Sequence, residues 1–306
     1  MQKIGLHPRN RHRAGYDFPA LVRASPELAR FVRPSPVGTD TIDFADPAAV
    51  LALNRALLTH AYGISHWEIP AGYLCPPIPS RADYIHRVAD LLAGAGDATP
   101  RGPATAVLDI GVGANCIYPI VGVAEYDWRF VGSDIDPVAV ASARRIVAAN
   151  STLVDRVEIR HQRTPAEIFA GVVKPGETFA ASICNPPFHA SARDAAAVAT
   201  RKLKNLRRGK TRSRILNFGG QSNELWCRGG EAAFIRRLIE ESARQPELCR
   251  WFTTLVAQHD HLAGIYRALA AVRAVDVRTI PLEHGQKKSR IVAWTFQPAR
   301  PTRPAN

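Results

Sequence analysis

Cysteine is scarce in this chain and acidic residues are outnumbered. Cys75, Cys116, Cys184, Cys227 and Cys249 are the five cysteines among 306 residues, and no two stand as C-x-x-C. That spacing supplies neither a paired-thiol zinc site nor a C-x-x-C redox motif, and an odd count without framework spacing fits a reduced, cytoplasmic protein. No run approaches the roughly 18 apolar residues needed to span a membrane. Met1-Gln2-Lys3-Ile4-Gly5 leads into no apolar segment, so no secretory signal is expected. No internal repeat is present. Against 40 Lys and Arg stand only 27 Asp and Glu, for a net charge of +13. Such a balance favours a polyanionic partner, nucleic acid above all.

What is present describes a globular protein. Apolar residues make up 46% of the chain, too many for a disordered one. The length allows one large domain, or a domain with an appended module. Residues 1–45 are polar, basic and proline-rich, and His7 to Arg13 holds three Arg and two His in seven positions. The segment reads as a basic N-terminal RNA-binding module. Residues 46–103 read as a helical connector. Asp46-Pro47 has the N-cap and first-turn proline of a helix start, and a second amphipathic helix follows Ser80.

From about residue 104 strands alternate with helices. Strands are expected at 105–110, 128–133, 156–159, 179–184, 252–256, 272–280 and 291–296, and helices at 137–149 and 230–243. The alternation predicts an α/β fold with a mostly parallel twisted sheet covered on both faces. This domain is expected to span 104–297, with a disordered tail at 298–306.

Two strand ends carry the chemistry. The first strand leads into Asp109-Ile110-Gly111-Val112-Gly113-Ala114-Asn115-Cys116. Glycines there let a ligand approach the backbone, at the carboxyl end of the strands where open α/β sheets bind ligands. The second strand ends in Asp134, whose carboxylate can accept hydrogen bonds from two ribose hydroxyls. Asp109, Gly111, Gly113 and Asp134 thus suit NAD or S-adenosylmethionine. Cys116 stands where the dinucleotide fingerprint needs a third glycine.

Asn185-Pro186-Pro187-Phe188 follows the fourth strand. Prolines fix φ and donate no hydrogen bond. The segment can therefore hold two carbonyl acceptors toward a planar nitrogen, with an aromatic ring against its π-face. Together with the incomplete glycine fingerprint it favours S-adenosylmethionine. Arg81, before the sheet, has a guanidinium able to fork onto the donor's carboxylate, or is an ordinary surface arginine. Arg201 to Arg214 carries eight Lys or Arg and no acid in fourteen residues, close after Phe188.

Several stretches resemble one family: Leu6 to Arg11, Pro79 to His86, Leu108 to Pro119, Cys184 to Phe188, Asn217 to Gly220, and Gly229 to Glu231. From about Leu6 to Phe296 the chain is similar to the bacterial 23S ribosomal RNA adenine-N6 methyltransferase F family, of which human methyltransferase-like protein 16 is a more distant relative. The resemblance implies a class I, Rossmann-like fold and methylation of one adenine in large-subunit rRNA. It implies that Arg81, Gly111, Asn115 and Asp134 line the cofactor site and that Asn185, Pro186, Pro187 and Phe188 are catalytic. A residue after the third strand would face the cofactor adenine: Thr164, with Gln162 or Arg163 as alternatives. Asn185 Oδ1 and the Pro186 carbonyl would each accept an N6–H, and Phe188 would stack on the base.

The expected RNA contacts are Arg9, Arg11, Arg13, Lys202, Lys204, Arg207, Arg208, Lys210 and Arg212. His7, His12 and His86 read as phosphate contacts or structural residues, and no metal is expected. The expected partner is 23S rRNA or a large-subunit assembly intermediate, bound by a monomer away from any membrane. Other readings are a methyltransferase acting on guanine N2, DNA adenine or protein glutamine, and a ribosome-assembly RNA-binding protein without turnover.

Overall fold

The computed structural model describes residues 5–36, 38–94, 98–187, 227, 229–284 and 287–298. Phe188 and the basic segment 201–214 lie outside these.

The chain begins with α1 (Phe18–Ala24), a 3-10 turn at Pro26–Phe31, and a short antiparallel ribbon of β1 (Arg33–Pro34) and β2 (Asp40–Thr41). Two long helices follow, α2 (Pro47–Tyr62) and α3 (Ile78–Ala93). Asp46 caps α2 as expected, its side chain accepting from Ala48 N, and Gly63 ends it at φ +67°. The start of α3 is earlier than expected, at Ile78 rather than after Ser80. Pro79 does not prevent this, because N–H groups in the first turn have no intrahelical acceptor. Arg81 consequently lies in the first turn.

A seven-stranded sheet forms from β3 (Ala106–Ile110), β4 (Arg129–Asp134), β5 (Val157–His161), β6 (Phe179–Cys184), β7 (Cys249–Val256), β8 (Asp276–His284) and β9 (Lys287–Thr295). Its order is β5-β4-β3-β6-β7-β9-β8. The first five of these are mutually parallel, while β9 runs antiparallel to β7 and to β8. This is a mostly parallel, Rossmann-like sheet, as expected. The strand expected at 272–280 begins instead at Asp276. Val272 caps the preceding helix and Arg273 turns the chain at φ +57°.

The linking helices are α4 (Ile117–Tyr126), α5 (Pro137–Ala148), α6 (Ser151–Val154), α7 (Gly230–Arg244) and α8 (Leu262–Ala271). Alternate β3 side chains enter opposite layers, as the two-residue period of a strand requires. Val107 packs with residues of α2, α3, α4 and α5. Ala106, Leu108 and Ile110 pack with residues of α7 and α8. No helix among the described residues is long and apolar enough to cross a membrane.

The expected boundaries at residues 45 and 103 do not divide this core. Phe18, Leu21, Leu28 and Ile42 are buried in the same cluster as α2, α3 and one sheet face. Nor is His7 to Arg13 a free arm. His7 N donates to Asp83 Oδ1 and His7 Nε2 pairs with Asp90 Oδ2 at 2.8 Å. Asn10 Nδ2 donates to Pro79 O at 2.8 Å, and His12 Nε2 lies 2.8 Å from Tyr62 Oη. His7, Asn10 and His12 are buried. The basic motif is therefore a clamp along α2, α3 and α4.

Candidate active site

Parallel pairing brings three strand ends to one edge. Ile110 registers with Ser133 on β4 and with Cys184 on β6. The next residue along each of these neighbouring strands is Gly111, Asp134 or Asn185, so all three follow directly on registered positions.

The glycine loop is bound to β4. Gly111 N and Val112 N both donate to Ser133 O at 2.9 Å. Gly111 and Gly113 take φ of +75° and +66°, a conformation open to glycine at little cost. Gly113 N donates to Asp134 Oδ2 and Asp136 N to Asp134 Oδ1, both at 2.9 Å. Each Asp134 oxygen keeps a further lone pair for a ribose hydroxyl. Burial raises the Asp134 carboxyl above its ordinary range, against the lowering effect of those backbone donors. Asp136 caps α5 through Val138 N and receives the Tyr73 hydroxyl at 2.5 Å.

Asp109 and Arg81 form an unusual buried couple. Asp109 is 0% exposed, and neither of its oxygens has a hydrogen-bond partner among the described residues. Burial pushes its carboxyl well above the usual range, and nearby Asp134 adds to this, while Arg81 opposes it. Arg81 is 9% exposed and donates from Nη1 to Tyr118 Oη at 3.0 Å, with its guanidinium 5.7 Å from that ring centre. Among the described residues it has no carboxylate in ion-pair range. A buried carboxylate without a donor and a buried guanidinium without an acid suit a zwitterion, ammonium toward one and carboxylate toward the other.

Asn115 is committed differently. Its Oδ1 accepts from Ile117 N at 3.1 Å, its Nδ2 reaches Leu74 O at 3.4 Å, and its carbonyl accepts the Trp67 indole N–H at 2.8 Å. It shapes the loop, and its amide keeps a second N–H and a second lone pair beyond these bonds. Thr164 is exposed after β5, and its N–H donates to Gln162 Oε1 at 2.8 Å. Gln162 is itself buried and donates from Nε2 to Ala170 O at 2.8 Å. Its amide thus holds the loop together.

The sequence reading overlooked Ile135. It is 39% exposed, directly after Asp134, and offers apolar surface on which a flat ring can lie. The signal was a large apolar residue between two aspartates at a strand end. Glu231 was also unassigned. It is 1% exposed and accepts from Ala257 N at 2.7 Å and His261 Nδ1 at 2.6 Å. It holds the loop that leaves β7 at this same edge.

Asn185 Oδ1 is buried with no hydrogen-bond partner among the described residues. Pro186 is buried beside it. An amide oxygen left without a donor costs about 1–3 kcal/mol, so the arrangement is that of an acceptor awaiting an N–H.

A model of RNA methyltransferases matches residues 1–298 of this chain. The chain belongs to the RNA methyltransferase family. This RNA methyltransferase is 55% identical over 300 residues to the ribosomal RNA large subunit methyltransferase F of Serratia proteamaculans, covering 97% of this chain and 89% of that one. It is 57% identical over 296 residues to the protein of that name from Cytophaga hutchinsonii, covering 96% and 92%. Among solved structures, the human METTL16 catalytic domain in complex with MAT2A 3′UTR hairpin 1 superposes with a TM-score of 0.82 at 28% identity, covering 99% of this chain and all of that one. The N-terminal domain of human METTL16 in complex with SAH gives 0.76 at 25% identity, covering 96% and 100%. Arg81 with Asp109, the carboxylate at the end of β4 and the exposed Ile135 fit S-adenosylmethionine, the methyl donor of this enzyme.

The expected RNA contacts fall into two groups. Arg9 Nη2 bonds Asp90 Oδ1 at 2.6 Å and its Nε bonds Tyr126 Oη at 3.0 Å. Arg11 Nε bonds Glu125 Oε1 at 2.7 Å and its Nη1 bonds Ala61 O at 2.8 Å. Both anchor the clamp through these bonds, and both are exposed, as is Arg13. Lys202, Lys204, Arg207, Arg208, Lys210 and Arg212 lie outside the described residues.

Proposed function

We propose that this enzyme methylates N6 of one adenine in 23S ribosomal RNA, acting in the cytoplasm on rRNA or a large-subunit assembly intermediate. The observation that carries the reading is the buried Asn185 Oδ1, without a hydrogen-bond partner among the described residues, directly after the strand end that registers beside those of Gly111 and Asp134. The relatives named as large-subunit rRNA methyltransferases support the choice of RNA.

S-adenosylmethionine, when bound, supplies a methyl group made electrophilic by its sulfonium. The chain's residues then have distinct tasks. Arg81 and Asp109 hold the charged end of the donor, and Asp134 fixes its ribose. Asn185 Oδ1 and the Pro186 carbonyl accept the two N6–H bonds. That draws the nitrogen lone pair out of conjugation and toward the methyl, and stabilises the positive charge developing on nitrogen. Phe188 stacks on the base, which must leave any helix that contains it, at a cost of a few kcal/mol. The segment 201–214 follows closely and supplies phosphate contacts whose affinity falls with salt.

Mapping N6-methyladenine in rRNA from cells with and without the protein tests the reading. One adenine should lose its methyl group in the deletion and regain it with the wild-type chain but not with Asn185→Ala. An unchanged map, or full rescue by Asn185→Ala, would overturn it.

A further inference from the structure

Where β6 runs out into Asn185, side chains take over from the sheet. The described pairing of β6 with β7 extends to Ser182 opposite Phe252, and that with β3 to Cys184 opposite Ile110. Across the following step, Thr253 Oγ1 of β7 donates to Ser182 O at 2.8 Å. Tyr84 Oη of α3 lies 2.8 Å from Thr253 Oγ1 and accepts the backbone N–H of Cys184 at 3.3 Å. The same hydroxyl is 3.4 Å from Cys184 O. Tyr84 and Thr253 are both 0% exposed.

Proton counting gives this relay a direction. A threonine hydroxyl has one hydrogen. Thr253 gives it to Ser182 O, so Tyr84 donates to Thr253 over the shorter of its two contacts, and Cys184 N–H donates to Tyr84. The relay thus runs from the residue before Asn185, through a helix and the neighbouring strand, back to β6. Pro186 and Pro187 have no N–H with which to bind the chain on the far side. The ring of Tyr84 packs edge-on against Tyr118 at 5.3 Å, and Tyr118 in turn receives Arg81.

We propose that Tyr84 is a positioning residue for methyl transfer. Its hydroxyl, through Thr253, fixes the backbone from which Asn185 and Pro186 present their acceptors, and it takes no part in holding the donor. The proposal rests on the reading that Asn185 and Pro186 receive the acceptor amine. Displacement of reacting groups by about 1 Å can cost around a hundredfold in rate, so loss of one restraint should be visible in kcat.

The test uses the full-length enzyme on rRNA isolated from cells lacking it. Tyr84→Phe keeps the ring on Tyr118 and removes only the hydroxyl. The expected result is a fall in kcat of about tenfold or more, with KM and calorimetric Kd for S-adenosylmethionine within about twofold of wild type. Thr253→Val should cause a similar fall, the double variant little more, and Thr253→Ser should recover most of the rate lost in Thr253→Val. An unchanged kcat in Tyr84→Phe would overturn the proposal, as would losses that multiply in the double variant or a matching loss of donor affinity. Asn185→Ala is run alongside. If it is inactive while Tyr84→Phe is fully active, the positioning role alone fails. If Asn185→Ala turns over normally, the mechanism at Asn185 fails and the positioning role falls with it.

Discussion

The backbone N–H of Gly113 donates to Asp134 Oδ2 at 2.9 Å, so the loop after β3 and the acid at the end of β4 are one unit. The same carboxylate receives Asp136 N. A side chain at position 113 would have to adopt φ +66°, at about 1–2 kcal/mol. Gly113→Ala should therefore weaken S-adenosylmethionine binding by about tenfold. Asp134→Ala removes the ribose acceptor as well and should weaken it further. Calorimetry measures both, and affinities equal to wild type would separate this loop from the donor site.

Asp109 links stability to pH. Its carboxyl is raised in the folded protein, chiefly by burial. The unfolded chain ionises first, so stability from this group is complete below the ordinary value of 3.8 and is lost as pH rises through the folded value. Without donor, Asp109→Asn should flatten that decline and raise Tm at neutral pH. It should also weaken donor binding. Melting curves across pH 4 to 8, with and without S-adenosylmethionine, test both effects; a variant with the wild-type pH slope would contradict the assignment.

The N-terminal clamp should loosen in mild acid. Burial lowers His12 to about 4 and His86 to about 3, from an ordinary 6.5. A histidine that is neutral when folded stabilises above its unfolded value, and the benefit is lost as pH falls toward the folded value. Stability should therefore decline between pH 6.5 and about 4. Limited proteolysis before residue 18 should accelerate over that interval, and less so in His12→Gln.

Arg9 and the segment 201–214 should separate by phenotype. Arg9→Ala breaks bonds to Asp90 and Tyr126 and should lower Tm. Replacing Lys202, Lys204, Arg207 and Arg208 by glutamate should leave Tm in place, reduce RNA affinity and shallow its salt dependence. Donor binding should be unaffected by the latter set. An Arg9→Ala variant of normal Tm with poor RNA binding would return Arg9 to the RNA surface.

Much of the sheet was readable because its strands carry local signatures, including the Asp46-Pro47 and Asp136-Pro137 helix starts beside them. Asn185 was readable because prolines constrain the chain locally. The clamp was not. The partners of Arg9 lie 81 and 117 residues away, and charge alone looks the same whether it faces phosphate or an acid of the same chain. Helix α4 was missed because its apolar residues show no single face and Pro119 and Gly122 interrupt it. Gly122 is explained only by packing: a Cβ there would lie 2.3 Å from the Phe130 ring. The part Asn115 plays in shaping its loop was not readable either, because its side-chain partner Leu74 O lies 41 residues away in the chain.

The clamp also imposes a timetable on synthesis. Arg11 emerges from the ribosome 114 residues ahead of Glu125, and Arg9 117 residues ahead of Tyr126. The partners of His12, Asn10 and His7 come sooner, 50, 69 and 83 residues on. The clamp's last two arginine bonds therefore have no partner to form with until the end of α4 has been made, and its securing is staged, the bonds of the histidines and asparagine before these two.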